Sequence, residues 1–217
     1  MAISLTASVP ARTWRNPSAS AITRIKWALI VIGMLPLARL VAGFLLNSLG
    51  ANPIEFITRS TGTWTLVGLA LTLSITPLRT LLNWPWLVRL RRTAGLLAFF
   101  YASLHFITYI WFDRFFDFTD IVKDIIKRPF ITVGFAAFVL LIPLAVTSNN
   151  AIIKKLGAKL WQRIHYAVYL IAVLAVIHYW WLVKKDLTQP IIYAVVFALL
   201  LGLRVFWKWH KVRATSA

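Results

Sequence analysis

Long apolar runs alternate with short polar segments along the whole chain. Six runs, at roughly 27–47, 62–82, 93–112, 130–147, 164–183 and 190–207, each carry about 20 mainly apolar residues, which is what one helix needs to cross a bilayer. The pattern predicts an all-α membrane protein, a six-transmembrane-helix bundle over 27–207. Its loops are too short to hold a separate soluble domain. Pro36, Pro77 and Pro143 fall within or near the ends of the first, second and fourth runs, where each removes a backbone hydrogen bond and is expected to kink its helix. The longest connection, 113–129, alternates Ile121, Val122, Ile125 and Ile126 with charges, which predicts a short amphipathic helix on the membrane surface. A docking surface and a plain connector both fit it.

Composition supports the spans. The 217 residues are 60% hydrophobic and 14% charged, against about 25% charged in soluble domains. A net charge of +18 raises nucleic acid as a partner, but the basic residues form no single patch. They recur in alternate polar segments: Arg12, Arg15, Arg24 and Lys26; Arg79, Arg89, Arg91 and Arg92; Lys154, Lys155, Lys159 and Arg163; Arg204, Lys208, Lys211 and Arg213. The intervening segments hold Arg59, Arg114, Lys123, Lys127, Arg128, Lys184 and Lys185 with all six acids, Glu55, Asp113, Asp117, Asp120, Asp124 and Asp186. The positive-inside rule then places both termini in the cytoplasm. Most of the eleven tryptophans lie near run ends, as an aromatic belt requires. Residues 1–26 read as a basic, disordered cytoplasmic tail and 208–217 as a basic C-terminal tail.

Cysteine is absent, which excludes disulfides, iron–sulfur clusters and a covalently attached c-type haem. A metal would have to rely on histidine. Three of the four histidines, His105, His165 and His178, fall in or at the ends of apolar runs, where an imidazole is costly unless it is hydrogen-bonded or ligates something. The third and fifth runs start on the same side, so depths compare directly. His105 lies thirteen residues beyond Arg92 and His178 fifteen beyond Arg163, about 20 and 22 Å in at 1.5 Å per residue. Two imidazoles at one depth on two helices are what a bis-histidine haem requires. Ala102 and Ala175, one turn before each, leave room for a porphyrin plane.

His165 precedes His178 by thirteen positions, about 20 Å along an ideal helix but roughly 140° around it, so a bulge or tilt would have to align them. Fourteen before His105 stands Arg91, which cannot ligate iron. His165 is thus a candidate ligand without an opposing histidine; a propionate, a quinone or no ligand also fits it. His210 reads as solvated. Arg39, near the middle of the first run, either pairs with a haem propionate or snorkels to the surface. Arg79, Arg91 and Arg92 are candidates for a flavin phosphate, since arginine pairs well with phosphate oxygens, and equally serve as topology determinants.

The strings LGANPIEFITRSTGTWTL (49–66), TPLR (76–79), RRTAGL (91–96), LHFITY (104–109), KRPFITVG (127–134), LGAKLWQRIHYAVYL (156–170) and IHYW (177–180) resemble the MsrQ family. These are the haem-binding membrane subunits of the bacterial periplasmic methionine sulfoxide reductase system, within the wider ferric-reductase-like transmembrane superfamily. The resemblance covers about 25–207. It implies haem b, flavin mononucleotide (FMN), and electron delivery to a periplasmic molybdopterin subunit, MsrP. The implied donor is the quinone pool or a cytosolic flavin reductase, and catalysis resides in the partner. In superfamily members with two haems each of two helices carries two histidines; here the outer pair maps to His105 and His178, the inner fifth-run ligand to His165, and the inner third-run position to Arg91, where the pattern fails.

Two other readings share these residues. One is a quinol-oxidising cytochrome b with another acceptor. The other is a proton- or ion-coupled transporter with a histidine relay, against which stands the absence of Asp and Glu from every predicted span.

Overall fold

The computed structural model describes residues 16–215. Its elements run α1 (Ala19–Leu45), α2 (Pro53–Leu82), a 3-10 turn (Pro85–Leu90), α3 (Arg91–Thr108) extended by a π-helical segment (Tyr109–Asp113), α4 (Phe118–Lys127), α5 (Pro129–Val146), α6 (Asn150–His165), α7 (Ala167–Leu182) and α8 (Thr188–Thr215). Six segments are long and apolar enough to cross a membrane: Ala19–Leu45, Pro53–Leu82, Pro85–Asp113, Pro129–Val146, Asn150–Leu182 and Thr188–Trp207. The expected six-span bundle is therefore present. The chain is a multi-pass membrane protein.

Short polar side chains open the helices by accepting from first-turn amides. Ser18 Oγ accepts from the Ala21 amide at 3.0 Å and Asn52 Oδ1 from that of Glu55 at 3.1 Å. Asp117 accepts from Asp120 at 3.0 Å, and Asn149 from Ala151 at 2.8 Å. Three boundaries differ from those read from the sequence, two of them set by these caps. Because Ser18 caps α1, residues 19–26 are helical rather than part of a disordered tail; residues 1–15 lie outside the described residues. The charged stretch before His165, read as a loop, is α6, which Asn149 caps and Gly157 interrupts at φ 74°. The last helix runs on to Thr215, beyond the expected end at 207; the side chain of His210 lies outside the described residues. The short helix expected over 113–129 forms as α4.

The bundle centres on α2 packed against α3 and α5 against α7, with α8 closing on α2 and α7. Its shared core is Leu66, Leu69 and Leu73 of α2, Ala98 and Ala102 of α3, Leu141 of α5, Ile171 and Ala172 of α7, and Phe197 of α8. Small residues let backbones approach where no water drives helices together. A Cβ at Gly68 would lie 2.9 Å from the Ala98 Cα. Helix α1 contributes nothing to this core and is tied on by Tyr101, whose hydroxyl donates to the Gly33 carbonyl (2.7 Å) and accepts from the Leu37 amide (3.2 Å). The insertion sits beside Pro36, inside the α1 ladder.

Candidate functional site

Helices α3 and α7 bring His105 and His178 face to edge, with ring centroids 6.1 Å apart and planes at 74°. Each ring is aimed by a backbone carbonyl on a neighbouring helix. His105 Nδ1 lies 2.9 Å from the Thr58 carbonyl of α2, and His178 Nδ1 2.6 Å from the Phe130 carbonyl of α5. A carbonyl only accepts, so both Nδ1 atoms carry the proton and both Nε2 lone pairs are left for another partner. This is the outer hydrogen bond that fixes the tautomer of a metal-ligating histidine. A metal–imidazole nitrogen bond is about 2 Å and each ring adds roughly 1 Å to its centroid, so two rings on one metal sit about 6 Å apart. The observed separation fits that arrangement.

Two glycines make the room. A Cβ at Gly134 would stand 2.6 Å from His178 Nδ1, and one at Gly62 3.1 Å from His105 Cε1, so each ring packs where a side chain would otherwise be. Between them lies a cavity of about 570 Å³, within the range of cofactor sites. Ala102 and Ala175 line it, as do the apolar side chains of Leu66, Phe138, Leu141 and Ile171. Its rim carries Arg59, Arg114 and Arg128. Flat apolar walls, two free imidazole nitrogens and a cationic rim match the chemistry of a porphyrin with carboxylate tails.

Helix α4 covers the rim. Asp124, buried, accepts from the Tyr109 hydroxyl at 3.1 Å and from Arg128 Nε at 3.1 Å, and pairs with Arg114. Ile125 of the same helix faces the cavity.

The remaining sequence candidates lie elsewhere. His165 does not line the cavity: its ring stacks on Trp161 with centroids 4.0 Å apart, and its Nδ1 lies 3.0 Å from the Trp161 carbonyl. Arg91 is close enough for its charge to act on that ring. Arg39 is exposed on α1 and is absent from the cavity lining, the placement of its snorkelling alternative. Of the three arginines considered for a flavin phosphate, Arg91 turns inward to Thr76 and feels the charge of Arg79, whereas Arg92 is exposed beside Ser148 and Asn149 on another groove. Sequence reasoning missed Gly62, Gly134 and Arg204. An isolated glycine inside an apolar helical run was the available signal for the first two.

Residues 32–176 match the family described as ferric reductase like transmembrane component. The chain is 58% identical over 204 residues to the protein-methionine-sulfoxide reductase heme-binding subunit MsrQ of Herminiimonas arsenicoxydans, covering 93% of this chain and 94% of that protein. It is 55% identical to the MsrQ of Bordetella pertussis over 196 residues (89% and 95%), and 52% identical to that of Ralstonia nicotianae over 191 (87% and 88%). The six-span fold, the glycine-flanked histidine pair and these likenesses agree: the chain belongs to the MsrQ family of ferric-reductase-like transmembrane proteins, membrane subunits of the methionine sulfoxide reductase system.

Proposed function

We propose that this chain carries electrons across the inner membrane through a b-type haem held by His105 and His178, and hands them to a periplasmic MsrP that reduces methionine sulfoxide in oxidised envelope proteins. The observation that carries the reading is the pair of rings 6.1 Å apart with both Nδ1 protons engaged by backbone carbonyls. A haem so bound supplies one-electron transfer at an iron whose two axial sites are filled. The chain's own residues do the rest. Thr58 and Phe130 hold the two imidazoles in one tautomer, Gly62 and Gly134 admit the rings, and the apolar walls exclude water. Arg59, Arg114 and Arg128 supply cations at the rim, where carboxylate tails of a bound porphyrin would lie.

The alternation of basic segments supports cytoplasmic termini, which sets the histidine pair toward the periplasmic side, nearest the acceptor. The relatives are named heme-binding subunits, which supports haem. The family resemblance extends to FMN and to a quinone or a cytosolic flavin reductase as donor. His165, stacked on Trp161 outside the cavity lining, is the weaker candidate ligand, and its own substitution tests its haem dependence separately.

Absorption spectroscopy tests this. Detergent-purified protein is expected to show a reducible b-type spectrum that His105→Ala and His178→Ala each abolish, while His165→Ala keeps full haem content. Colourless protein from haem-replete cells would overturn the haem assignment. Failure of reduced, haem-loaded protein to pass electrons to MsrP in reconstituted membranes would overturn the partner.

A further inference from the structure

A second polar site lies at the end of the bundle where α3 begins, about 20 Å along that helix from His105. Two guanidiniums meet there around one hydroxyl. Arg91 donates to Thr76 Oγ1, and Arg204 Nη2 donates to the same oxygen at 3.3 Å and to the Leu73 carbonyl at 2.6 Å. Arg204 Nη1 donates to the Tyr169 hydroxyl at 3.0 Å, and its plane lies 5.3 Å over the Tyr169 ring. Arg79 adds a third charge acting on Arg91. These partners, Thr76, Leu73 and Tyr169, are neutral.

No carboxylate can answer this charge from the described helices. The six acids of the chain are Glu55, Asp113, Asp117, Asp120, Asp124 and Asp186. Glu55 stands 21 positions before Thr76, about 30 Å along α2, and Asp186 precedes α8, eighteen positions before Arg204. The ion pairs among the described residues involve only Glu55, Asp120 and Asp124. The Nε atoms of both Arg91 and Arg204 are buried without a hydrogen-bond partner. Two neighbouring cations with unsatisfied donors, inside membrane-crossing helices, are costly unless an anion joins them. A phosphate suits them best, because its several oxygens accept from two planar forks at once and its charge offsets both.

We propose that Arg91 and Arg204, spaced by Thr76 and flanked by Arg79, bind the phosphate of a ligand at the inner-leaflet end of the bundle. This site is separate from the histidine pair and stands without it. The phosphate has two possible sources, an anionic phospholipid headgroup or a soluble phosphate ester; the second rests on the flavin reading above and places its phosphate on Arg204 as well as Arg91.

The full chain in phosphatidylcholine nanodiscs, titrated with FMN and with riboflavin, separates the sources from one side. Native mass spectrometry of protein purified from mixed phosphatidylglycerol and phosphatidylcholine separates them from the other. For an ester, FMN binds at least about tenfold tighter than riboflavin, and Arg91→Gln and Arg204→Gln each remove roughly that factor. For a headgroup, phosphatidylglycerol is retained over phosphatidylcholine by the wild type and lost from both variants. Haem absorbance reports folding in every variant. Should the glutamine variants not fold, Arg91→Lys and Arg204→Lys keep the charge but lose the planar fork, and are expected to weaken binding in the same assay. The proposal is overturned if neither phosphate probe is preferred over its counterpart, or if the exposed Arg39→Gln loses as much as Arg204→Gln. Retained phosphatidylglycerol with no FMN preference keeps the site and removes the flavin reading; a colourless wild type that still binds either probe removes the haem reading alone.

Discussion

Arg204 of α8 donates at 2.6 Å to the carbonyl of Leu73, the group that Pro77 leaves without its helical partner four residues on. The kink in α2 is thus filled from another helix, and the last span is tied to the second by a charged donor. Removing Arg204 exposes the cost of the proline. Arg204→Gln is expected to destabilise by about 1.5–3 kcal/mol, the range for a hydrogen bond to a charged group. In Pro77→Ala the backbone amide of residue 77 can close on Leu73, and the same Arg204→Gln change should then cost less. A double-mutant cycle by thermal unfolding in detergent is expected to give a coupling of about 1 kcal/mol. Additive losses would show that the two residues act independently.

The two glycines facing the histidines differ in how closely they are packed, which yields an order. A methyl group at Gly134 would overlap His178 Nδ1 at 2.6 Å, against 3.1 Å from His105 Cε1 at Gly62. Gly134→Ala therefore has to turn the His178 ring off the Phe130 carbonyl, and Gly62→Ala asks for a few tenths of an ångström. Overpacking of this kind costs typically about 1–3 kcal/mol. Haem content per protein is expected to fall in the order wild type, Gly62→Ala, Gly134→Ala, with a shifted Soret band in the last. Equal spectra for all three would mean that the rings have slack the packing does not show.

The six spans were legible because hydrocarbon imposes a length that no soluble helix needs, and the common depth of His105 and His178 follows from counting residues past Arg92 and Arg163. Which face each residue takes was legible only in part. The 140° offset between His165 and His178 stands, because Tyr166 between α6 and α7 keeps helical φ/ψ; it puts the His165 ring on Trp161 and outside the cavity. For Arg39 the depth was readable but the facing was not, and α1 stays outside the core. The role of Arg204 depends on a carbonyl freed 131 residues earlier, a pairing that periodicity does not encode.

Asp124 clamps the lid over the histidine cavity through Arg114, Arg128 and Tyr109. Burial disfavours the Arg114 charge, but Asp124 and Tyr109 together more than offset it and hold the guanidinium above its ordinary pKa. The sign follows: a raised pKa gives stability that is fully present below the unfolded value and is lost only as pH rises through the folded one. Across neutral pH the Arg114 end of the clamp is therefore constant. Asp124→Asn is expected to cost on the order of 2 kcal/mol, less than a fully buried pair because Arg128 is half exposed. Hydrogen exchange should quicken over 114–128 while α2 and α7 stay protected. Unchanged exchange in that segment would show that Ile121 and Ile125, not the clamp, hold α4 down.

Tyr101 makes the last case, because one hydroxyl carries the polar link between α1 and the rest of the bundle. It donates to Gly33 and accepts from Leu37, bridging a carbonyl and an amide that an undisturbed helix would pair with each other. Tyr101→Phe keeps the buried ring and removes only the bridge. In a membrane the average interhelical hydrogen bond is worth about 0.6 kcal/mol, and two to one oxygen should approach about 1 kcal/mol. Part of that is expected to return if Gly33 and Leu37 close on each other. Helix α1 would then straighten past Pro36 and sit less tightly against Leu97, which a methyl group added at Gly33 would meet at 2.9 Å. Protease accessibility of α1 should rise in Tyr101→Phe with the haem spectrum unchanged, since the histidine pair stands on α3 and α7. A spectrum altered as much as in Gly134→Ala would mean instead that Tyr101 positions α3 itself.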